Sequence, residues 1–225
     1  MRRALLFCVL LALTQTACSA ESRIIENATA LRDVLISGKQ HVSLEALASQ
    51  RGCGPNGCSI DLGPISILHE QGMMRDRLNK TPIQIQAQFT GELPELDWEP
   101  IGGFAVSSGG KPWGICLEFT HTGLGKSGSF QRWSSVILVP SAEANIHTIA
   151  YRFVGYWAGC DMLVEGENSD MVSLPVVEWE NPVEKQKMVI RWHNCNVHSC
   201  QVDQDAKSVA EDAKSETGAL IIESK

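Results

Sequence analysis

The chain has 225 residues, of which 44% are hydrophobic and 20% are charged. Its length is sufficient to bury a sizeable core in one domain. The formal net charge of −7 at pH 7 disfavours a nucleic-acid-binding protein, because such proteins bind phosphates through basic side chains. It also disfavours adsorption to anionic lipid.

The N-terminus has the organisation of an export signal. Positive charge at Arg2 and Arg3 precedes an apolar run from Ala4 to Leu13, and small and polar residues follow up to Ala20. The apolar run is too short to cross a bilayer, which requires about 20 residues. Residues 1–20 are therefore predicted to direct the protein out of the cytoplasm, to a bacterial periplasm or to a membrane-tethered state.

Two processing routes are compatible with this leader. Cleavage after Ala20 would use the small residues at positions 18 and 20. Alternatively, Thr16-Ala17-Cys18 resembles the end of a bacterial lipoprotein signal, although Gln15 stands where that signal has an aliphatic residue. The resemblance implies that Cys18 is lipid-modified and that several acyl chains tether the protein to a membrane.

Two short helices are predicted after the leader. Ala30, Leu31, Val34 and Leu35 recur at helical spacing, with Asn27 or Thr29 as the cap and Gly38 as the stop. A second helix is predicted to begin at Ser43, since serine is a favoured N-cap. Both helices would cover one end of a sheet.

From about Ile65 to His193 the sequence has the short strands and turns of a β protein. The most regular alternation is the run Ile83–Phe89, in which apolar residues alternate with Gln84, Gln86 and Gln88. This period of two predicts a strand with Ile83, Ile85, Ala87 and Phe89 buried and the glutamines exposed. Gly109-Gly110-Lys111-Pro112 predicts a hairpin turn.

The C-terminal segment contains a small repeat. Asp205-Ala206-Lys207-Ser208 recurs as Asp212-Ala213-Lys214-Ser215, and the alanines fall on one helical stripe, which predicts a short amphipathic helix. Residues 21–225 are thus expected to form a single, mainly β domain. Its predicted architecture is an antiparallel β-sandwich or partly open barrel with short N-terminal helices and this one C-terminal helix.

The cysteines predict three disulfides. The chain has eight cysteines, two of which, Cys8 and Cys18, belong to the leader. Cys53/Cys58 and Cys195/Cys200 are each separated by four residues, close enough in space to form local bridges. Cys116 and Cys160 then pair by elimination. Disulfides agree with an exported protein.

The segment around Cys195 has a second interpretation. His193, Cys195, His198 and Cys200 could supply two imidazoles and two thiolates to a structural zinc ion. The oxidising compartment and the similar Cys53/Cys58 pair favour a disulfide, so no metal and no cofactor is predicted.

Two acidic-tryptophan triplets are the candidate ligand-binding residues. Asp97-Trp98-Glu99 and Glu178-Trp179-Glu180 each precede a proline closely. A tryptophan can stack on a sugar ring while neighbouring carboxylates accept hydrogen bonds from the hydroxyls of the sugar. The alternative is that both tryptophans belong to the core and the acids are solvated at strand ends.

No catalytic motif is present, so a non-enzyme is favoured. The sequence predicts an exported, envelope-associated binding or structural module whose ligand could be a glycan or another envelope component. The alternative is a secreted hydrolase on a β scaffold that uses Asp97, Glu99, Glu178 or Glu180. A hydrolase would require such carboxylates to converge in one cleft, with a raised pKa for one of them.

Overall fold

The computed structural model describes residues 22–55, 57–88, 96–121, 133–141, 146–168, 170–180, 188–203, 207–211 and 219–223. These residues form seventeen β-strands, one α-helix and two short 3-10 turns. The protein is therefore mainly β, as its sequence predicts.

The strands are β1 (Ser22–Ile25), β2 (Ser43–Ala46), β3 (Ser49–Gly54), β4 (Gly57–Leu62), β5 (Ile65–Leu68), β6 (Met73–Asp76), β7 (Gln84–Ala87), β8 (Leu96–Ser108), β9 (Lys111–His121), β10 (Trp133–Pro140), β11 (Ile149–Tyr156), β12 (Val164–Glu165), β13 (Val172–Trp179), β14 (Met188–Cys195), β15 (Cys200–Val202), β16 (Lys207–Glu211) and β17 (Leu220–Glu223). The helix α1 spans Ala28–Ile36, and the 3-10 turns span His69–Gln71 and Cys160–Met162.

The strands assemble into three sheets. The seven-stranded sheet has the order β1-β17-β16-β14-β13-β12, with β15 also paired to β14. The six-stranded sheet has the order β2-β8-β9-β10-β11-β7, and the four-stranded sheet has the order β3-β4-β5-β6. Pairing is antiparallel except between β7 and β11, which are parallel. None of the three strand orders closes into a barrel within the described residues.

Two hydrophobic clusters join the sheets. The main core combines side chains of the six-stranded sheet, the seven-stranded sheet and α1. The second core combines the six-stranded and four-stranded sheets. On β9, Cys116 belongs to the main core, whereas its neighbours Ile115 and Leu117 belong to the second. The alternation of side chains along a strand thus lets the six-stranded sheet contribute to both cores.

The first predicted helix is confirmed. Asn27 has an extended backbone and its side chain accepts a hydrogen bond from the Ala30 amide at 2.9 Å. This satisfies one of the amides that the first turn of a helix leaves unpaired. Gly38, just beyond the end of α1, has φ +73°, a left-handed conformation that favours glycine.

The helix predicted from Ser43 is wrong. Ser43–Ala46 is strand β2, which pairs with Phe104–Ser107 of β8. Only Leu44 is half-buried, and the other three residues are exposed. A segment this short gains more from pairing with a long neighbouring strand than from one isolated helical turn, which is costly to nucleate.

The predicted C-terminal helix is also wrong where the structure describes it. Lys207–Glu211 is strand β16, which lies between β14 and β17. The rest of the repeat lies outside the described residues. A helix with alanine on its apolar stripe would bury little area. A strand at this position instead forms backbone hydrogen bonds with both β14 and β17.

The glutamine-rich strand is shorter than predicted. β7 covers Gln84–Ala87; Ile83 is buried and Ile85 half-buried, while Gln84 and Gln86 are exposed. Ala87 is exposed and Gln88 is half-buried, both contrary to prediction, because β7 ends at Ala87 and lies at the edge of its sheet. Phe89 lies outside the described residues.

The predicted hairpin is present between β8 and β9. Gly109 and Gly110 have φ +56° and +74°, the positive values that a two-residue hairpin turn requires.

All three predicted cysteine pairs are disulfides. Cys53–Cys58 and Cys195–Cys200 each have Cα atoms 4.0 Å apart, and Cys116–Cys160 has 5.9 Å. The two local distances are slightly shorter than the usual range of about 4.4–6.8 Å. In each of these local bridges, the two cysteines lie opposite each other on adjacent antiparallel strands. Three disulfides indicate an oxidising, exported environment.

Candidate functional site

The two acidic-tryptophan triplets do not form one site. Trp98 is half-buried against the second core, where it makes an edge contact with Phe119 at 6.4 Å between ring centroids. Trp179 is half-buried against the main core. The fold therefore does not bring the two triplets together in a single cleft.

The triplet around Trp98 serves packing. The indole nitrogen of Trp98 lies so near Gly72 that a Cβ atom there would be only 2.9 Å from it. Glu99 forms an ion pair with Arg51 of β3, which links the six-stranded and four-stranded sheets. The side chain of Asp97 lies outside the described part of the structure.

Trp179 belongs to a chain of four aromatic rings that we call the aromatic patch: Trp133, Tyr156, Trp157 and Trp179. The rings of Trp133 and Trp179 are stacked, with centroids 5.6 Å apart and an interplanar angle of 18°. Tyr156 meets Trp133 edge-on at 5.8 Å and Trp157 at 4.8 Å. The three tryptophans are half-buried, whereas Tyr156 is buried.

Strand ends bring the aromatic patch together. Trp133 begins β10 and Tyr156 ends β11, and the two are direct partners in the ladder. Trp157 has φ +52°, a left-handed conformation that is unusual for a bulky residue. The Ser134 hydroxyl donates to the Ala158 carbonyl at 2.6 Å and so fixes the turn that follows β11.

Glu178 is a buried, paired carboxylate. It is 5% exposed, and Arg191 Nη1 lies 2.6 Å from its Oε1. His193 is fully buried, with its Nε2 3.6 Å from Glu178 Oε2 and its ring edge-on to Phe153. Glu178 thus balances an arginine inside the seven-stranded sheet, while Glu180 is exposed.

The histidines and cysteines near the C-terminus do not form a zinc site. Cys195 and Cys200 are joined in a disulfide, so their thiolates are not available to a metal. Within the described residues, no group of three or more His, Cys, Asp or Glu side chains is arranged to hold a metal ion.

A different pair of carboxylates lies beside the turn after Trp157. Glu118 of β9 accepts a hydrogen bond from the Cys160 amide at 2.6 Å. A Cβ atom on Gly159 would lie 2.7 Å from Asp161 Oδ1 and 3.3 Å from Glu118 Oε1. The two carboxylate oxygens are therefore no more than about 6 Å apart, with glycine leaving the space between them open.

The two acids differ in their surroundings. Burial raises the pKa of Glu118 above its usual value; the amide hydrogen bond from Cys160 opposes this, and the charge of Asp161 adds to it. Asp161 is exposed, and its Oδ2 lies 3.3 Å from Arg32 Nη1 of α1. A half-buried acid with a raised pKa thus faces an exposed acid that is paired with a cation.

Sequence reasoning missed this pair, although one feature could have revealed it. Glu118 stands two residues after Cys116, within an apolar strand, and Asp161 follows Cys160 directly. Because the sequence predicts that Cys116 and Cys160 pair, it also implies that their flanking acids lie close together.

Comparisons with protein-family models, curated proteins and solved structures found no match for this chain. No helix in the described ranges has the length and apolar character needed to cross a membrane.

Proposed function

We propose that this protein is an exported, disulfide-stabilised envelope module that binds a glycan at the aromatic patch. Residues 1–20 act as its export signal, and residues 21–225 form a layered β-sandwich in which the six-stranded sheet is the central layer. The observation that carries the proposal is the half-buried, stacked Trp133–Trp179 pair, continued by Tyr156 and Trp157.

The chemistry of the patch suits a sugar. Indole rings that remain partly in water offer apolar faces to the C–H groups of a sugar, and a cluster of partly exposed aromatic rings is characteristic of a binding surface. Glu180 follows Trp179 directly, and Asp161 lies on the turn after Trp157. Two carboxylates that can accept hydrogen bonds from sugar hydroxyls are thus next to the patch in the chain. The net charge of −7 disfavours a strongly polyanionic glycan.

Co-sedimentation with purified peptidoglycan sacculi, together with fluorescence titration using soluble amino-sugar oligomers, tests glycan binding. We expect Trp179→Ala and Trp133→Ala to weaken binding about tenfold, since covering roughly 60 Å² of an indole face is worth about 1.5 kcal/mol at about 25 cal/mol per Å². Trp98→Ala is the matched control, because Trp98 is also half-buried but packs on the second core. Equal binding by all three variants, or no binding by the native protein, would contradict the proposal.

A second candidate function is glycan hydrolysis by Glu118 and Asp161. Their oxygens are within about 6 Å, compatible with the roughly 5–5.5 Å between the carboxyl groups of a retaining glycosidase. The raised pKa of Glu118 suits a general acid, which must donate a proton to the leaving group. Asp161 would act as the nucleophile. This pair replaces Asp97, Glu99, Glu178 and Glu180 as the acids of the hydrolase hypothesis.

Release of reducing ends from sacculi distinguishes the two functions. If the protein is a hydrolase, Glu118→Gln abolishes release but leaves co-sedimentation unchanged. If it is only a binding module, the native protein releases no reducing ends at any pH between 4 and 8 while it still co-sediments.

A further inference from the structure

We propose that strand β1, at the edge of the seven-stranded sheet, lies against the lipid bilayer that holds acylated Cys18. This inference deepens the envelope association proposed above, and it rests on the lipoprotein route of processing. It assigns a membrane-facing surface to the domain, centred on the exposed side chain of Ile24.

The distance between the lipid and the domain limits where the domain can be. Three residues, Ser19, Ala20 and Glu21, separate Cys18 from the first residue of β1. Four residue steps span at most about 14 Å, at up to 3.6 Å each in an extended chain. One headgroup region is about 5–8 Å thick, so β1 begins no more than about 10 Å beyond it and stays close to the bilayer.

The residues of β1 are suited to that neighbourhood. Ile24 is 61% exposed while the adjacent Ile25 is buried, as expected for neighbours on opposite faces of a strand. Arg23 is also exposed, but the alternation places it on the opposite face of β1 from Ile24, so Ile24 supplies the contact with the bilayer.

The position of β1 in its sheet leaves this surface accessible. β1 is the terminal strand of the seven-stranded order, paired with β17 on one side. In the described part of the chain, Ile24, Leu78 and Ile101 are the large hydrophobic residues with the greatest exposure. Ile24 lies six positions from Cys18, whereas the other two lie far along the chain, in the segment after β6 and in β8.

These three residues supply a matched experiment. The photo-cross-linker p-benzoylphenylalanine is introduced separately at positions 24, 78 and 101 of the full-length protein. Each variant is processed in cells and reconstituted into vesicles of phosphatidylethanolamine and phosphatidylglycerol. We expect irradiation to attach phospholipid at position 24 several-fold more efficiently than at positions 78 and 101.

Lengthening the connection provides an independent check. A Gly/Ser insertion of about 20 residues between Glu21 and Ser22 has a mean span of roughly 25 Å. We expect it to reduce cross-linking at position 24 to the level of the other two positions.

Mass spectrometry of the N-terminal peptide shows whether Cys18 is acylated. It thereby distinguishes a wrong membrane-facing surface from a missing lipid anchor. If Cys18 carries acyl chains but position 24 cross-links no better than positions 78 and 101, the membrane-facing surface is wrong and the anchor stands. If Cys18 is absent from the mature protein or unmodified, both the anchor and this surface are overturned. Glycan binding at the aromatic patch is unaffected by either result.

Discussion

Glu118 links the chemistry of the candidate site to the stability of the fold. Burial raises its pKa, so the folded protein holds this proton at pH values where the unfolded chain, with a usual pKa of 4.5, has released it. Stability contributed by the protonated group is complete below pH 4.5 and is lost as the pH rises through the raised pKa. We expect Glu118→Gln to remove this loss of stability, because glutamine does not ionise. Its side-chain oxygen still accepts the hydrogen bond from the Cys160 amide.

Urea unfolding between pH 4 and 7 measures the effect. The stability of Glu118→Gln relative to the native protein should increase as the pH rises across this window. Asp161→Asn is the control for the neighbouring charge, and it should reduce the pH dependence of the native protein without abolishing it. A constant difference between the native protein and Glu118→Gln at all pH values would show that Glu118 does not titrate abnormally.

Asp76 shows the opposite pH dependence. It is 1% exposed and accepts hydrogen bonds from the Leu78, Asn79 and His147 amides and from His147 Nδ1, at 2.9–3.1 Å. Burial alone would raise the pKa of Asp76, but these hydrogen bonds hold it below the usual 3.8. The stability that it supplies is therefore present above pH 3.8 and is lost as the pH falls through the lowered pKa.

We expect Asp76→Asn to lower the free energy of unfolding by about 2–3 kcal/mol at pH 7, because an amide cannot replace a carboxylate that accepts four hydrogen bonds. Urea unfolding at pH 7 and again at pH 3 is the measurement. The cost should shrink at pH 3, which lies below the usual pKa of 3.8 that the carboxyl has in the unfolded chain, and a cost that grows in acid would contradict the assignment. Asp61→Asn, at a partly exposed carboxylate, is the control.

Tryptophan positions show what single residues reveal before a structure is known. The two triplets have similar sequences, yet Trp98 packs over Gly72 and Trp179 stacks on Trp133. Neither contact is encoded in the triplet itself, because Gly72 comes from the turn before β6 and Trp133 from β10. The sequence identifies tryptophans and acids as candidate binding residues. Which tryptophan belongs to a site depends on the residues that it packs against, and these are distant in sequence.

At the level of elements, α1 depends on its N-cap. Asn27→Ala removes the acceptor for the Ala30 amide and should lower the free energy of unfolding by about 1 kcal/mol. Asn27→Asp keeps an oxygen at the same place and should retain most of that stability. Thermal unfolding of the two variants against the native protein is the measurement, and equal losses in both would show that the cap is not responsible.

The elements that could be predicted are those whose local signals agree with their surroundings. The cap at Asn27, the apolar spacing and the stop at Gly38 all favour α1, and Gly109-Gly110 specifies its hairpin. Ser43–Ala46 and Lys207–Glu211 have weak helical signals over a few residues. In both cases backbone pairing with a neighbouring strand outweighs propensity, and sequence alone does not identify that neighbour.

For the whole molecule, the β class and the pairing of cysteines were predictable, while the assembly of the sheets was not. The parallel pairing of β7 with β11 joins residues some 65 positions apart, such as Gln84 and Ile149. The continuous apolar run of residues 113–117 in β9 indicates a strand buried on both faces, but it does not say which sheets cover the strand. Long-range contacts of this kind carry no local signature.

The disulfides give the last prediction, at the scale of the whole fold. Cys116–Cys160 joins residues 44 positions apart, and both cysteines are fully buried in the main core. Closing a loop of this length stabilises the fold by about 4 kcal/mol in the chain-entropy model, against about 2 kcal/mol for the five-residue separation of Cys53–Cys58. The buried bridge also holds the turn that carries Asp161 beside Glu118.

We therefore expect the double variant Cys116→Ala/Cys160→Ala to lose at least twice as much unfolding free energy as Cys53→Ala/Cys58→Ala, measured by urea unfolding without reductant. Cys195→Ala/Cys200→Ala should fall between them, because its loop is equally short but Cys195 is buried, so its removal also leaves a cavity. Comparable losses for the buried and exposed bridges would mean that the main core, rather than the cross-link, fixes the turn after β11. In that event the geometry of Glu118 and Asp161 should survive removal of the disulfide, and the pH dependence attributed to Glu118 should persist in the Cys116→Ala/Cys160→Ala variant.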